Sequence, residues 1–286
     1  MRIRIISASV GIPVVLVAIW LRLPGVAVLA VSLGIVGGIE LDRMMRPTVE
    51  NMGRWAGTRI VFLVMGPVAI TAFGAWMVSQ GSISGDQLPI TLGIVFALAL
   101  LLRGVAGLGR SRGPSDRGPT PGRRTSTWVY WVFAAYVGLA LAHAPVLVEL
   151  PAGQKLLVLA VVTTFAIDSS AMIVGLSIGR TKLAPAISPN KSWEGAVAGV
   201  ITGVVAAIVI DASFDLGFSS IAAGLLGAVL GVTAIAGDLY ESWIKRRAGV
   251  KDSGTLFPGH GGILDRLDSV IPNLAVVYWA AVWNTL

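Results

Sequence analysis

Apolar residues in this chain come in long blocks divided by short polar segments, with no sustained alternation of apolar and polar positions. A helix needs about 20 mostly apolar residues to cross the hydrocarbon of a bilayer. Nine blocks meet or approach that length, at about 5–21, 25–41, 59–79, 88–102, 127–148, 156–179, 193–211, 216–237 and 270–286. The pattern therefore predicts an all-α polytopic membrane protein with about nine transmembrane helices. The first block follows Met1-Arg2-Ile3-Arg4, as the core of a secretory signal would. No small-residue cleavage site follows it, so it is read as a helix. Leu23-Pro24 separates the first two blocks and predicts a tight helical hairpin. Nine spans leave no room for a soluble domain, so residues 1–286 are read as a single membrane domain. Within it, 1–150 supplies N-terminal helices and 151–286 carries most of the polar chemistry.

The polar segments orient this arrangement. Each span moves the next loop to the other side, and Lys and Arg concentrate on the cytoplasmic side. With the N-terminus in the cytoplasm, 20 of the 22 basic residues fall on that face, and only Arg22 and Lys155 fall outside. Residues 103–126, rich in Arg, Gly and Pro, read as a flexible cytoplasmic linker with an affinity for anionic lipid. The expected location is an integral membrane protein, of a bacterial inner membrane, with its polar site facing the cytoplasm.

Composition narrows the function. Charged residues are 13% of the chain, hydrophobic ones 55%, and the mean hydropathy is +0.80. A soluble domain carries about a quarter charged residues, so a soluble enzyme and a disordered chain are both excluded. In a membrane setting the net charge of +7 points to anionic lipid head groups or a phosphorylated substrate, and not to nucleic acid. There is no cysteine, and the only histidines are His143 and His260. Disulfides, thiolate zinc sites and multi-histidine metal sites are thereby excluded.

Glycine has a positional pattern. Gly195, Gly199 and Gly203 share one face of the seventh predicted span, and Gly224, Gly227 and Gly231 one face of the eighth. Small residues let helix backbones approach closely in lipid. The faces suit packing within the chain or a homodimer.

Three polar segments carry candidate chemistry. Asp168 lies inside the sixth span, where a carboxylate is costly and defaults to a functional role; the structural alternative is a bond to Thr164 or Ser169. Residues 185–195 (PAISPNKSWEG) read as a loop entering the seventh span, because Pro189 excludes interior helix around it. Ser188, Lys191 and Ser192 there suit an anion, although either serine could instead be an N-cap and Lys191 a membrane-side anchor. The third segment, 237–269, is the most informative. Asp238, Glu241, Ser242 and Lys245 form one stripe if the eighth helix continues past the bilayer. Residues 257–262 (FPGHGG) read as a turn whose bare backbone can approach a phosphate. Asp265 and Asp268 follow at helical spacing. Separated carboxylates among basic residues suit Mg²⁺ shared with substrate phosphates.

Ser242, Lys245-Arg246, Lys251-Asp252, Gly254, Phe257-Pro258, His260-Gly261-Gly262-Ile263 and Asp265-Arg266-Leu267-Asp268, at these spacings, resemble the signature of the phosphatidate cytidylyltransferases, or CDP-diacylglycerol synthases. Gly237-Asp238-Leu239, the Ser-Pro-x-Lys-x-Trp-Glu-Gly element at 188–195 and Asp168 extend the resemblance over about residues 160–270. Ser192 stands where threonine is common, with the hydroxyl kept. The resemblance implies transfer of a cytidylyl group from CTP to phosphatidate, giving CDP-diacylglycerol and pyrophosphate. It implies that Asp238 and Asp265 hold a catalytic Mg²⁺, with Asp268 as ligand or support and a second metal or monovalent cation as an option. Lys245 and Lys251 would contact CTP phosphates. Arg246 and Arg266 would assist them or pair the aspartates. Ser188, Lys191, Ser192 and Ser242 would belong to the nucleotide site, and His260 would donate to phosphate.

Two other classes are weighed against this reading. A CTP-dependent polyprenol kinase would release CDP instead of pyrophosphate. An ion-coupled transporter would place polar groups at mid-membrane in both halves of the chain, and the first five spans carry none at their centres.

Overall fold

A computed structural model describes residues 2–45, 56–81, 128–254 and 261–285, and the statements below concern those residues. The expected span at 88–102, the basic segment 103–126, Phe257, Pro258 and His260 lie outside them. The described chain forms helices α1 (Arg2–Trp20), α2 (Arg22–Met45), α3 (Ala56–Ser79), α4 (Trp128–Leu141), α5 (His143–Val148) and α6 (Gly153–Ile178). A two-stranded hairpin follows, β1 (Lys182–Ala184) and β2 (Ser188–Ser192). The chain then continues as α7 (Trp193–Phe214), α8 (Ser220–Ala248), the short α9 (Leu264–Leu267) and α10 (Val270–Thr285).

Six stretches are long and apolar enough to cross a membrane: Arg22–Met45, Ile60–Ser79, Val129–Val148, Gly153–Ile178, Trp193–Phe214 and Ser220–Ala248. Gly11–Trp20 and Val270–Asn284 are shorter apolar helices where the sequence predicts the first and last spans. The protein is thus an α-helical integral membrane protein. Its α7 shows the lipid-facing pattern: Val197, Ile201, Val205 and Val209 stand more than half exposed at four-residue spacing.

Local sequence explains the breaks. Only Leu21 separates α1 from α2, and Arg22 takes a left-handed backbone (φ 56°) to reverse the chain. Gly25 lets the two helices of this hairpin approach, because a Cβ there would strike the backbone of Ala18. The predicted span at 127–148 is two helices. Pro145 has no N–H to give the preceding turn, and the chain bends at Ala142, where His143 Nδ1 lies 2.8 Å from the carbonyl oxygen of Leu139.

The glycine faces are used inside the chain. Gly195 and Gly199 of α7 lie against Ala171 and Ile167 of α6, Gly203 meets Gly227 of α8, and Gly231 packs on Val200. A homodimer through those faces would need surface that α6, α7 and α8 already cover. A polar knot joins α6, α8 and α10: the buried Asn273 amide donates to Thr164 Oγ1 (2.8 Å) and to the carbonyl of Leu230 (3.2 Å), while its oxygen accepts from Thr233 Oγ1 (2.5 Å). One apolar core surrounds this knot. The other gathers Leu41, Met45, Tyr130, Phe133, Ile244 and Leu264, and so seats the ends of α2, α4 and α8 beneath the polar site.

Candidate active site

The 29 residues of α8 extend about 43 Å at 1.5 Å each, well beyond about 30 Å of hydrocarbon. Its last turns continue as helix past the apolar run and present Asp238, Glu241, Ser242 and Lys245 together. Glu241, Ser242 and Lys245 are all buried. Lys245 Nζ donates to Asp265 Oδ1 at 2.6 Å and lies 3.4 Å from Glu241 Oε2. The other oxygen of Asp265 accepts from Gly262 N (2.7 Å), Ser253 N (2.8 Å) and Ser253 Oγ (3.0 Å). Burial works to raise the pKa of Asp265, but the Lys245 bond and the Gly262 and Ser253 amides outweigh it and hold the carboxyl below its usual range. Asp265 is thus the anion around which residues 253–265 are folded.

A second group of carboxyls surrounds Asp268. Its Oδ1 accepts from the Ser269 amide at 2.7 Å, while Ser269 Oγ lies 3.2 Å from Asp168 Oδ1. The structural alternative for Asp168 named Thr164 or Ser169, but Thr164 Oγ1 donates to the Ala160 carbonyl and Ser269 takes the contact. Burial, then the negative charges of Asp238 and Asp168, push the Asp268 carboxyl up to about 7. Asp238 pairs with Lys191 Nζ at 2.5 Å and accepts from Ser242 Oγ at 3.3 Å. Asp168, Asp238, Glu241, Asp265 and Asp268 thus face two ammonium groups, Lys191 and Lys245. A cluster short of positive charge, built of hard oxygen donors, suits a divalent cation such as Mg²⁺. As arranged, Asp238 and Asp265 are each committed to a lysine, and among the described residues no three such groups converge as an ion site.

The segment predicted as a loop at 185–195 is a β-hairpin in part. Lys182 pairs with Ser192 and Ala184 with Ser188, antiparallel, around a turn at 185–187. Pro185 and Pro189 exclude helix but tolerate extended backbone, which is why the segment could adopt strand. Ser192 caps α7, accepting from Gly195 N at 3.2 Å, and is buried against Gly175 and Gly179. Ser188 is half-buried in β2. Arg246 is turned to backbone: Nε donates to the Ile187 carbonyl (3.2 Å) and Nη1 to that of Val250 (3.1 Å). It ties the hairpin turn to the end of α8. Lys251 and Arg266 are exposed at the rim.

The structure thus brings together Asp168, Lys191, Asp238, Ser242, Lys245, Asp265 and Asp268 from four separate parts of the chain. It also adds a residue that the sequence reading passed over. Glu40 of α2, 4% exposed, accepts from Ile263 N at 2.9 Å, Leu264 N at 3.1 Å and Ser253 Oγ at 3.2 Å. Its one signal in the sequence was a carboxylate at the end of an apolar run.

The model of the cytidylyltransferase family matches residues 2–283. The phosphatidate cytidylyltransferase of Pseudomonas aeruginosa is 39% identical over 244 residues, covering 82% of this chain and 87% of its own length. That of Brucella abortus is 31% identical over 211 residues, 71% of this chain and 70% of the relative. That of Mycobacterium leprae is 42% identical over 146 residues, 51% and 46% of the two chains. With a matched region that takes in both the helices and the carboxylate–lysine cluster, the chain belongs to the cytidylyltransferase family.

Proposed function

We propose that this protein transfers the cytidylyl group of CTP to phosphatidate. A phosphate oxygen of phosphatidate attacks the α-phosphorus of CTP. The bond from that phosphorus to the α,β-bridging oxygen breaks, and pyrophosphate leaves with the electron pair. The nucleophile is already an anion near neutral pH, so the protein is not asked for a strong base. Its task is to hold two anions together and offset charge at phosphorus.

The observation that carries this reading is the folding of the signature residues around the Lys245–Asp265 pair at the end of α8. Lys191 and Lys245 supply fixed positive charge, with Lys251 and Arg266 at the exposed rim to meet CTP phosphates. The Lys245–Asp265 bond holds the ammonium in place before substrate arrives. Arg246 serves by holding the hairpin against α8, and Ser188, Ser192 and Ser242 belong to the nucleotide side of the site. His260 is proposed as a hydrogen-bond donor to phosphate. Mg²⁺ is part of the proposal; Asp238, Asp265 and Asp268 are the residues that would hold it, Asp238 and Asp265 only by giving up the lysines they now pair with, and it would neutralise charge on the CTP phosphates. The proposal also takes the nine-span arrangement, a site open to the cytoplasm and a bacterial inner-membrane location, which the one-sided distribution of Lys and Arg supports.

Labelled CTP tests the reaction type. Label at the α-phosphate should enter the lipid and label at the γ-phosphate should leave as pyrophosphate. A γ-label that enters lipid, with CDP as co-product, would indicate a kinase.

A further inference from the structure

Glu40 stands apart from every residue considered above. It belongs to α2, lies more than 200 positions from the segment it touches, and is buried where a polar side chain needs hydrogen-bond partners. All three of its partners lie in the signature segment. Ser253 precedes residues 255–260, and Ile263 and Leu264 follow them. Ile263 opens α9 with no side chain able to cap it, so Glu40 supplies from another helix the acceptors that the local sequence lacks. Two glycines are fitted to this carboxyl: a Cβ on Gly254 or on Gly262 would collide with the Glu40 side chain. Ser253 Oγ lies between Glu40 Oε2 and Asp265 Oδ2, at 3.2 and 3.0 Å, so the two carboxyls share its single O–H.

We propose that Glu40 is a positioning residue for the transfer reaction: from α2 it clamps both arms flanking residues 255–260, and thereby sets Asp265 against Lys245. This rests on the functional reading above. Lys245 pairs with Asp265 and Glu241, and Glu40 acts through Ser253, Ile263 and Leu264. A glutamine has the same shape but one acceptor oxygen, and its NH₂ would meet an N–H donor. Whichever way the amide is turned, Glu40→Gln sets an NH₂ against the N–H of Ile263 or of Leu264 and loses at least one of the three bonds, leaving a buried donor unpaired.

The test uses the full chain in detergent, with CTP and phosphatidate, and kcat expressed per mole of folded protein. Glu40→Gln should lower kcat roughly ten- to a hundredfold, with KM for phosphatidate changed less than about threefold. Gly254→Ala keeps the carboxylate but displaces it, and should lower kcat similarly. In a Glu40→Ala background the added methyl has room, so Gly254→Ala should cost little more. A role in stability alone would lower the yield and thermal midpoint and leave kcat per folded molecule unchanged. A kcat for Glu40→Gln within about twofold of wild type, or equal losses from Gly254→Ala with and without Glu40, would overturn the proposal. If Glu40→Gln does not fold, Gly254→Ala decides: wild-type kcat refutes the clamp and a similar fall supports it. A wild-type chain that releases no pyrophosphate would instead overturn the functional reading, and the clamp with it.

Discussion

Lys245 Nζ and Asp265 Oδ1 lie 2.6 Å apart, the side chains each 9% exposed, and join the end of α8 to the segment that leads into α9. Breaking one partner of a buried pair leaves the other charge uncompensated, at a cost of about 3–5 kcal/mol. Asp265→Asn keeps the shape, loses the charge and leaves Lys245 with Glu241 alone. Activity should fall at least about a hundredfold and the thermal midpoint should drop. Near-normal turnover in saturating Mg²⁺ would remove Asp265 from the site.

The acidities of Asp265 and Asp268 predict opposite pH behaviour. Asp265 is held below its usual range, so its contribution is complete above about pH 4 and is lost only as pH falls through the folded value. Asp268 is pushed up to about 7 by burial and by Asp238. Between about pH 4 and that value the unfolded chain releases this proton and the folded chain keeps it, so stability falls as pH rises. Without added divalent cation, the thermal midpoint of wild type relative to Asp268→Asn should decline across this window. The gap between wild type and Asp265→Asn should stay level. A level gap for Asp268→Asn would contradict the assignment.

Ser192 separates two roles by experiment. As the N-cap of α7, its removal in Ser192→Ala should cost about 1 kcal/mol of stability, and Ser192→Thr should restore it. Its place on the nucleotide side predicts a rise in KM for CTP as well, and an unchanged KM would leave the hydroxyl as the cap alone.

Lys191 is the partner of Asp238. Without it Asp238 would add an unbalanced charge beside Asp268. Lys191→Gln should lower kcat/KM for CTP about tenfold or more, and raised Mg²⁺ should recover part of the loss. No change in kcat/KM would place Lys191 outside the site.

Much of the site was legible because its residues are close in sequence. The stripe Asp238, Glu241, Ser242 and Lys245 requires a helix that outlasts its apolar run, and α8 does continue from the predicted end at 237 to Ala248. Asp265 and Lys245 both belong to the signature. Contacts across long separations leave no periodic trace. Glu40 meets Leu264 across 224 positions, and nothing near Glu40 names its partner. The glycine faces were visible as faces, but a spacing does not say which helix fills them. Residues 185–195 read as loop because Pro185 and Pro189 exclude helix without specifying what replaces it, here a hairpin over 182–192. Within that element, Lys191 was placed among candidate binders without its partner Asp238, which comes from a different helix.

The central claim is the reaction itself. Purified protein in phosphatidate-containing bilayers with Mg²⁺ should release pyrophosphate with CTP and far less with ATP, GTP or UTP, in equal amount to the CDP-diacylglycerol formed. Asp265→Asn should abolish both products. Pyrophosphate release without preference for CTP, or no release with any of the four nucleotides, would contradict the account.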